Sequence, residues 1–137
     1  MTTSSADWVT YEKKSREPIM APYRNRFVVR LTDKGKVLYL SDMVISKLTR
    51  PDHLRLKWSV TGTRIGLCIG TKHDGLKVDY KSSPEINVEK FVKDFNKAHP
   101  AHTFNPGAYE CLVEVVDAQT VDHYSLVVWD VTDHPAK

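Results

Sequence analysis

The chain has 137 residues, of which 41% are hydrophobic and 27% are charged, and its net charge is +3. This composition is typical of a globular protein that buries a core without disulfides or metals, and it excludes low-complexity classes. No apolar run reaches the ~18 residues of a membrane-spanning helix, and the polar N-terminus lacks the apolar segment of a secretory signal. We therefore expect a cytoplasmic protein.

Charge is distributed unevenly along the chain. Residues 1–75 contain 14 Lys and Arg against 7 Asp and Glu, a net charge of +7, whereas residues 76–137 contain 6 against 10, a net charge of −4. A basic half joined to an acidic half is typical of a chain with a polyanion-binding face. It is equally typical of two halves that attract each other across a domain or dimer contact, and the sequence leaves both interpretations open.

The first 25 residues have neither strand nor helix periodicity and contain Pro18 and Pro22. They predict an N-terminal arm that is partly disordered, with enough apolar residues for part of it to dock on the body or on a partner. We expect residues 26–137 to form a single α+β domain, with a basic half at 26–70 and an acidic half at 71–137.

Two short strands, a tight turn and a helix are predicted between residues 26 and 51. Apolar residues alternate at 26–31 and 36–40, which indicates strands, and Gly35 suits a left-handed position in the turn between them. Ser41 is a typical helix N-cap, and the predicted helix 42–48 ends before Pro51.

A second hairpin is predicted from the alternation at 54–60 and 64–69. One face carries large apolar residues that are expected to meet the core, namely Leu54, Leu56, Trp58, Val60, Ile65, Leu67 and Ile69. The opposite face carries basic and small residues, namely Arg55, Lys57, Ser59, Arg64, Gly66 and Cys68. Small residues on this face permit close approach by another backbone, a neighbouring chain or a ligand.

The acidic half predicts a short strand, a helix and a final hairpin. The strand is predicted at 76–80, and Ser83-Pro84-Glu85 is a typical helix start. Helical spacing continues through Val88, Phe91, Val92 and Phe95, and the last two strands are predicted at 108–116 and 123–131. The predicted order is ββαββ(β)αββ, a strand-rich small α+β domain of antiparallel hairpins with two short helices.

Six basic residues of the strands and turns form the candidate nucleic-acid site: Arg26, Arg30, Lys36, Arg55, Lys57 and Arg64. Residues 24–72 contain 11 Lys and Arg but only 3 Asp and Glu. A surface with this excess of positive charge releases counterions when it binds a phosphate backbone. The alternative is a solvated sheet face, on which basic side chains keep strand edges from aggregating.

No catalytic or metal-binding motif occurs in the sequence. The six histidines are scattered and there is no Cys-x-x-Cys pair, so we expect no metal, no cofactor and no enzymatic activity. Cys68 and Cys111 lie in apolar strand patterns and are expected to be buried free thiols in a reducing compartment. Trp58 and Trp129 are in register with aliphatic residues and are expected in the core.

A family resemblance is carried by residues 29–69, VRLTDKGKVLYLSDMVISKL…DHLRLKWSVTGTRIGLCI. This stretch resembles the AbrB/MazE-type swapped-hairpin module, in which a strand, an acidic-x-Gly-basic turn, a strand and a short helix precede a closing hairpin. The matching positions are Asp33, Gly35, Lys36, Val37, Leu48, Asp52, Leu54, Leu56 and Ile65. The resemblance implies an intertwined homodimer that binds double-stranded DNA through basic residues, and Arg30 and Lys36 match basic positions of the pattern.

The chain departs from that family pattern in its helix. Val44, Ile45 and Ser46 stand where basic residues are common, and the proline at the start of the helix is replaced near Ser41. The leading hypothesis is a non-enzymatic DNA-binding regulator of transcription, like the transition-state regulators and antitoxins of that family. The alternative is a small protein-interaction module that binds a protein partner, such as an inhibitor or adaptor of the kind that mobile elements encode.

Overall fold

The structure is a computed structural model that describes residues 20–32, 34–60, 62–118 and 121–133. Most of the expected N-terminal arm, residues 1–19, lies outside the described residues. The end of the arm is docked, because Met20 is buried against Val28 and Ala108 and is followed by a short 3-10 helix, Ala21–Tyr23. No helix in the described residues is long and apolar enough to cross a membrane.

The described residues form two antiparallel sheets and two α-helices, which confirms the strand-rich α+β fold. The helices are α1 (Asp42–Lys47) and α2 (Glu89–Ala98). The strands are β1 (Val28–Leu31), β2 (Val37–Leu40), β3 (His53–Trp58), β4 (Arg64–Ile69), β5 (Leu76–Lys77), β6 (Glu85–Asn87), β7 (Gly107–Glu110), β8 (Leu112–Ala118) and β9 (Val121–Asp130). The four-stranded sheet has the order β6-β2-β1-β7, and the five-stranded sheet has the order β5-β3-β4-β9-β8.

Local signals in the first half are confirmed. Gly35 has a φ of +66° in the β1–β2 turn, where a side chain would be strained. Ser41 caps α1, since its Oγ accepts a hydrogen bond from Val44 N at 3.4 Å. After α1 the chain turns through Thr49 and Arg50 at φ of 60° and 47°, and Pro51 follows.

The predicted start of the second helix at Ser83-Pro84-Glu85 is wrong. Glu85–Asn87 is instead a strand that pairs with β2, and α2 begins at Glu89. The residue that serves the helix start is Asn87, whose Oδ1 accepts from Glu89 N at 3.2 Å. Pairing with a strand remote in sequence therefore overrides a local pattern that is typical of a helix.

The strand predicted at 108–116 is two strands in two different sheets. Its first three residues belong to β7, which pairs with β1, and the chain then crosses at Cys111 into β8, which pairs with β9. The two predicted hairpins, β1–β2 and β3–β4, also lie in different sheets.

The hydrophobic core fills the space between the two sheets, and α1 and α2 contribute to it. Trp129 is almost fully buried there, as expected, but Trp58 is 38% exposed and packs on Phe91 of α2 at 5.5 Å between ring centroids. Two other residues that were expected in the core, Val60 and Ile69, are 91% and 54% exposed. They lie beyond β3 and at the end of β4, where the other sheet does not cover them.

Candidate functional site: the outer face and edge of the five-stranded sheet

The six basic residues singled out from the sequence do not share one face. Arg26, Arg30 and Lys36 belong to the segment around β1 and β2, in the four-stranded sheet, whereas Arg55, Lys57 and Arg64 lie on β3 and β4, in the five-stranded sheet. Because the core lies between the two sheets, the outward faces of the two sheets point in opposite directions. Only Arg55, Lys57 and Arg64 share a face of their sheet. Arg30 lies opposite Tyr39 on one face of the four-stranded sheet, whereas Lys36 has the same strand parity as the buried Leu38 and Leu40 and contacts α2 through Glu89.

Most of these cations already have a partner within the chain. Four form ion pairs: Arg26 with Glu110, Lys36 with Glu89 at 3.6 Å, Arg55 with Asp74 at 3.6 Å, and Arg64 with Glu114. Lys57 Nζ donates to the Tyr124 hydroxyl at 2.9 Å, and Arg30 has an interaction partner as well. Exposed pairs of this kind contribute only about 0–1 kcal/mol to stability, but each carboxylate lowers the positive potential that a phosphate would meet.

All four ion pairs join the basic half, 26–70, to the acidic half, 71–137, because Asp74, Glu89, Glu110 and Glu114 all lie after residue 70. The charge asymmetry of the sequence is therefore offset in part within one chain. Of the two interpretations that the sequence left open, attraction between the halves has this direct geometric support.

We call the outward face of the five-stranded sheet the outer sheet face. Its centre is apolar. One cross-strand row runs through Lys57, Gly66, Val128 and Leu112. Leu126 covers Gly66 so closely that a Cβ at Gly66 would lie 2.8 Å from Leu126 Cδ1. The group that approaches Gly66 is thus a side chain of the neighbouring strand, and not the backbone, neighbouring chain or ligand that the sequence suggested.

Charged and polar groups surround this apolar centre. The Arg64–Glu114 pair lies across it, and Lys57 lies over the Tyr124 ring at 4.9 Å from the centroid. Lys57, Arg64 and Glu114 also line a shallow groove of about 200 Å³ above Gly66 and Leu126. Val128 is only 5% exposed, so within this row only Leu112, at 72%, offers apolar surface to a partner beside the polar groups.

Two carboxylates hold the rim residues in place. Asp74 accepts hydrogen bonds from Thr71, which lower its pKa, and it lies against Arg55. For Asp130, burial raises the pKa, but hydrogen bonds from Thr132 and Thr63 together with nearby Arg64 lower it by more, so the net pKa lies below the ordinary value. Both carboxylates are therefore ionised at neutral pH.

Strand β8 forms one edge of the five-stranded sheet, and within the described residues no strand pairs with its other side. Its Leu112 and Val115 are 72% and 68% exposed. The sequence of β8, LVEVVDA, contains no Lys, Arg or Pro, the residues with which proteins usually block an edge. The register of β8 with β9 is regular over 112–116 and shifts between Val116 and Ala118.

The two cysteines are free and buried, as expected. Burial raises the pKa of Cys111 to about 12, and burial raises the pKa of Cys68 although Lys57 and Arg55 oppose this. Neither thiol is available as a thiolate nucleophile at neutral pH. Among the described residues, no group of three His, Cys, Asp or Glu side chains is placed to hold a metal ion.

Comparisons with family models, with curated proteins and with solved structures find no match for this chain. The AbrB/MazE-type resemblance therefore stays a prediction. The sequence did not indicate that Leu112, Val115 and Leu126 belong to the candidate site. The crossing of the chain between the two sheets at Cys111, which places β8 at an edge, could not be predicted. The absence of Lys, Arg and Pro from 112–118 was the signal that could have indicated this strand as part of the site.

Proposed function

We propose that this protein is a non-enzymatic protein-interaction module that binds its partner through the outer sheet face and the β8 edge. The observation that carries the proposal is the edge strand β8, whose Leu112 and Val115 are exposed on opposite faces of the sheet. Edge strands bind extended segments through main-chain hydrogen bonds, while side-chain pockets provide specificity. An inhibitor or adaptor that occupies a partner's surface fits this arrangement, and the two buried free thiols favour action in the reducing cytoplasm.

The charges of the surface favour a protein partner over a polyanion. Arg55 and Arg64 are each paired with a carboxylate of the same chain, and Lys57 is held by a tyrosine hydroxyl. A protein partner leaves these rim pairs intact, whereas a phosphate backbone has to compete with them.

Partner capture tests the proposal. The tagged protein should retain one stoichiometric protein from its native cells without nucleic acid, and Val115→Lys should abolish the capture because the charge blocks strand addition at the edge. Val60→Lys is the matched control, since Val60 is equally apolar and 91% exposed but lies in the β3–β4 turn. Retention of the partner by Val115→Lys would rule out the β8 edge as the contact.

The homodimer expected from the sequence is proposed for the same edge. Two β8 strands can pair antiparallel about a two-fold axis, as isologous dimers require. Centred on Val115, this pairing sets Glu114 opposite Val116 of the second copy, so no two carboxylates of these strands are directly opposed. Light scattering should give twice the chain mass, and Val115→Cys should form an intermolecular disulfide more readily than Val113→Cys. A monomer at all concentrations contradicts the dimer but leaves the protein partner to the capture experiment.

A DNA-binding regulator is the second candidate, and it has one observation in its favour. Arg55, Lys57 and Arg64 share the outer sheet face, and surface ion pairs exchange partners at low cost. Three phosphate contacts predict a slope of about −2.7 for log K against log salt concentration, and Arg55→Ala should reduce that slope by about 1. Absence of duplex binding at low ionic strength would exclude this function.

A further inference from the structure

A surface cavity of about 380 Å³, open to solvent, lies between the β1–β2 turn, α2 and the loop before β7. Its charged lining residues are three lysines and one carboxylate: Lys34, Lys36, Lys93 and Glu89. The carboxylate is shared, since Glu89 Oε2 lies 3.6 Å from Lys36 Nζ and its Oε1 lies 3.7 Å from Lys93 Nζ. Among the described lining residues, positive charges thus exceed negative charges by two.

Two asparagine amides add hydrogen-bond donors to the lining. Asn96 Oδ1 already accepts from Phe104 N at 2.7 Å, and Asn105 Oδ1 already accepts from Thr103 Oγ1 at 3.0 Å. Each amide therefore offers its NH₂ group to a ligand. A lining of ammonium and amide donors is suited to a ligand rich in acceptor oxygens.

The walls of this cavity are held by the fold rather than by a ligand. Val88 N donates to Lys36 O at 2.8 Å, which fixes the β1–β2 turn against the start of α2. The Tyr109 hydroxyl donates to Asn105 O at 2.5 Å, which fixes the opposite loop. A site whose walls are ordered in advance binds at a lower entropic cost.

We propose that this cavity binds a phosphate group, either as free phosphate or on a small phosphorylated molecule. A phosphate monoester carries a charge of about −1.5 to −2 at neutral pH, which matches the excess of two positive charges. The volume lies in the range of small-molecule sites, and Val92, Phe104 and Pro106 provide an apolar wall for an organic part. This site is formed by other residues than the outer sheet face, so it stands or falls independently of the proposed protein partner.

A titration followed by NMR tests the proposal. Inorganic phosphate and adenosine monophosphate are each added to the ¹⁵N-labelled protein at constant ionic strength, and the amide signals of Gly35, Lys36 and Asn96 should shift. Lys36→Ala and Lys93→Ala should each weaken binding about tenfold, as for the loss of a charge-assisted hydrogen bond. If adenosine monophosphate binds more tightly than inorganic phosphate, the apolar wall contacts the organic part of the ligand. If the two affinities are equal, the site binds free phosphate.

Matched variants separate a specific site from a general effect of net charge. Lys97→Ala removes the same charge from the exposed end of α2 but not from the cavity lining, and it should leave the affinity unchanged. Glu89→Gln should strengthen binding, because it removes the carboxylate that competes with phosphate for two lysines, and Glu110→Gln, whose partner is Arg26, should not. The proposal is overturned if neither probe shifts these signals, or if the controls change the affinity as much as the cavity variants do.

Discussion

Ser41 joins helix α1 to strand β1, and its replacement by alanine should destabilise the protein strongly. The side chain is fully buried, and its Oγ accepts from Val44 N at 3.4 Å and from Val28 N at 3.2 Å while it donates to Arg26 O at 2.5 Å. Ser41→Ala removes the helix cap, which costs about 1 kcal/mol. It also leaves the buried Val28 N–H and the partly buried Arg26 carbonyl without this partner, which costs about 1–3 kcal/mol more. We expect the free energy of unfolding to fall by about 3 kcal/mol.

Urea denaturation measures this loss directly, and for a chain of this length it corresponds to a decrease in Tm of about 10 °C. Ser46→Ala is the matched control, since Ser46 lies on the exposed face of the same helix and its loss should change stability by less than about 0.5 kcal/mol. If Ser41→Ala costs no more than Ser46→Ala, the hydroxyl does not connect the two elements and the reasoning is refuted.

Three further predictions concern a close contact, a carboxylate and the thiols. Gly66→Ala should cost about 1–2 kcal/mol by forcing Leu126 aside, and adding Leu126→Ala should recover much of that loss; strictly additive effects would show that the two do not touch. Because the pKa of Asp130 is lowered in the folded protein, the ionised carboxylate stabilises the fold above about pH 4, and this stabilisation is lost as the pH falls through the pKa of the folded state. Urea melts across that range should therefore show that Asp130→Asn loses less stability on acidification than the wild type. Both buried cysteines should resist a thiol reagent in the folded protein and react after denaturation, and rapid labelling of the native state would show that burial does not protect them.

The elements that the sequence predicted well depend on neighbouring residues. The cap at Ser41, the left-handed Gly35 and the pairing of β3 with β4 are each set by a few consecutive positions, and the structure contains all three. The failures depend on pairing between distant segments. Glu85–Asn87 is a strand because it pairs with β2. The predicted strand 108–116 is divided at Cys111 because the residues before Cys111 pair with β1 and those after it pair with β9.

The candidate site shows why a run of basic residues in sequence does not by itself define a polyanion-binding surface. Arg64 and Glu114 are 50 positions apart, and Arg26 and Glu110 are 84 apart, so only the fold could reveal that each cation meets a carboxylate. The same folding event that pairs these charges places LVEVVDA at a sheet edge, with Leu112 and Val115 exposed. Within the described residues, charge is thus offset while Leu112 and Val115 stay exposed and the outer side of β8 pairs with no strand, and such groups are the ones that protein–protein contacts commonly bury.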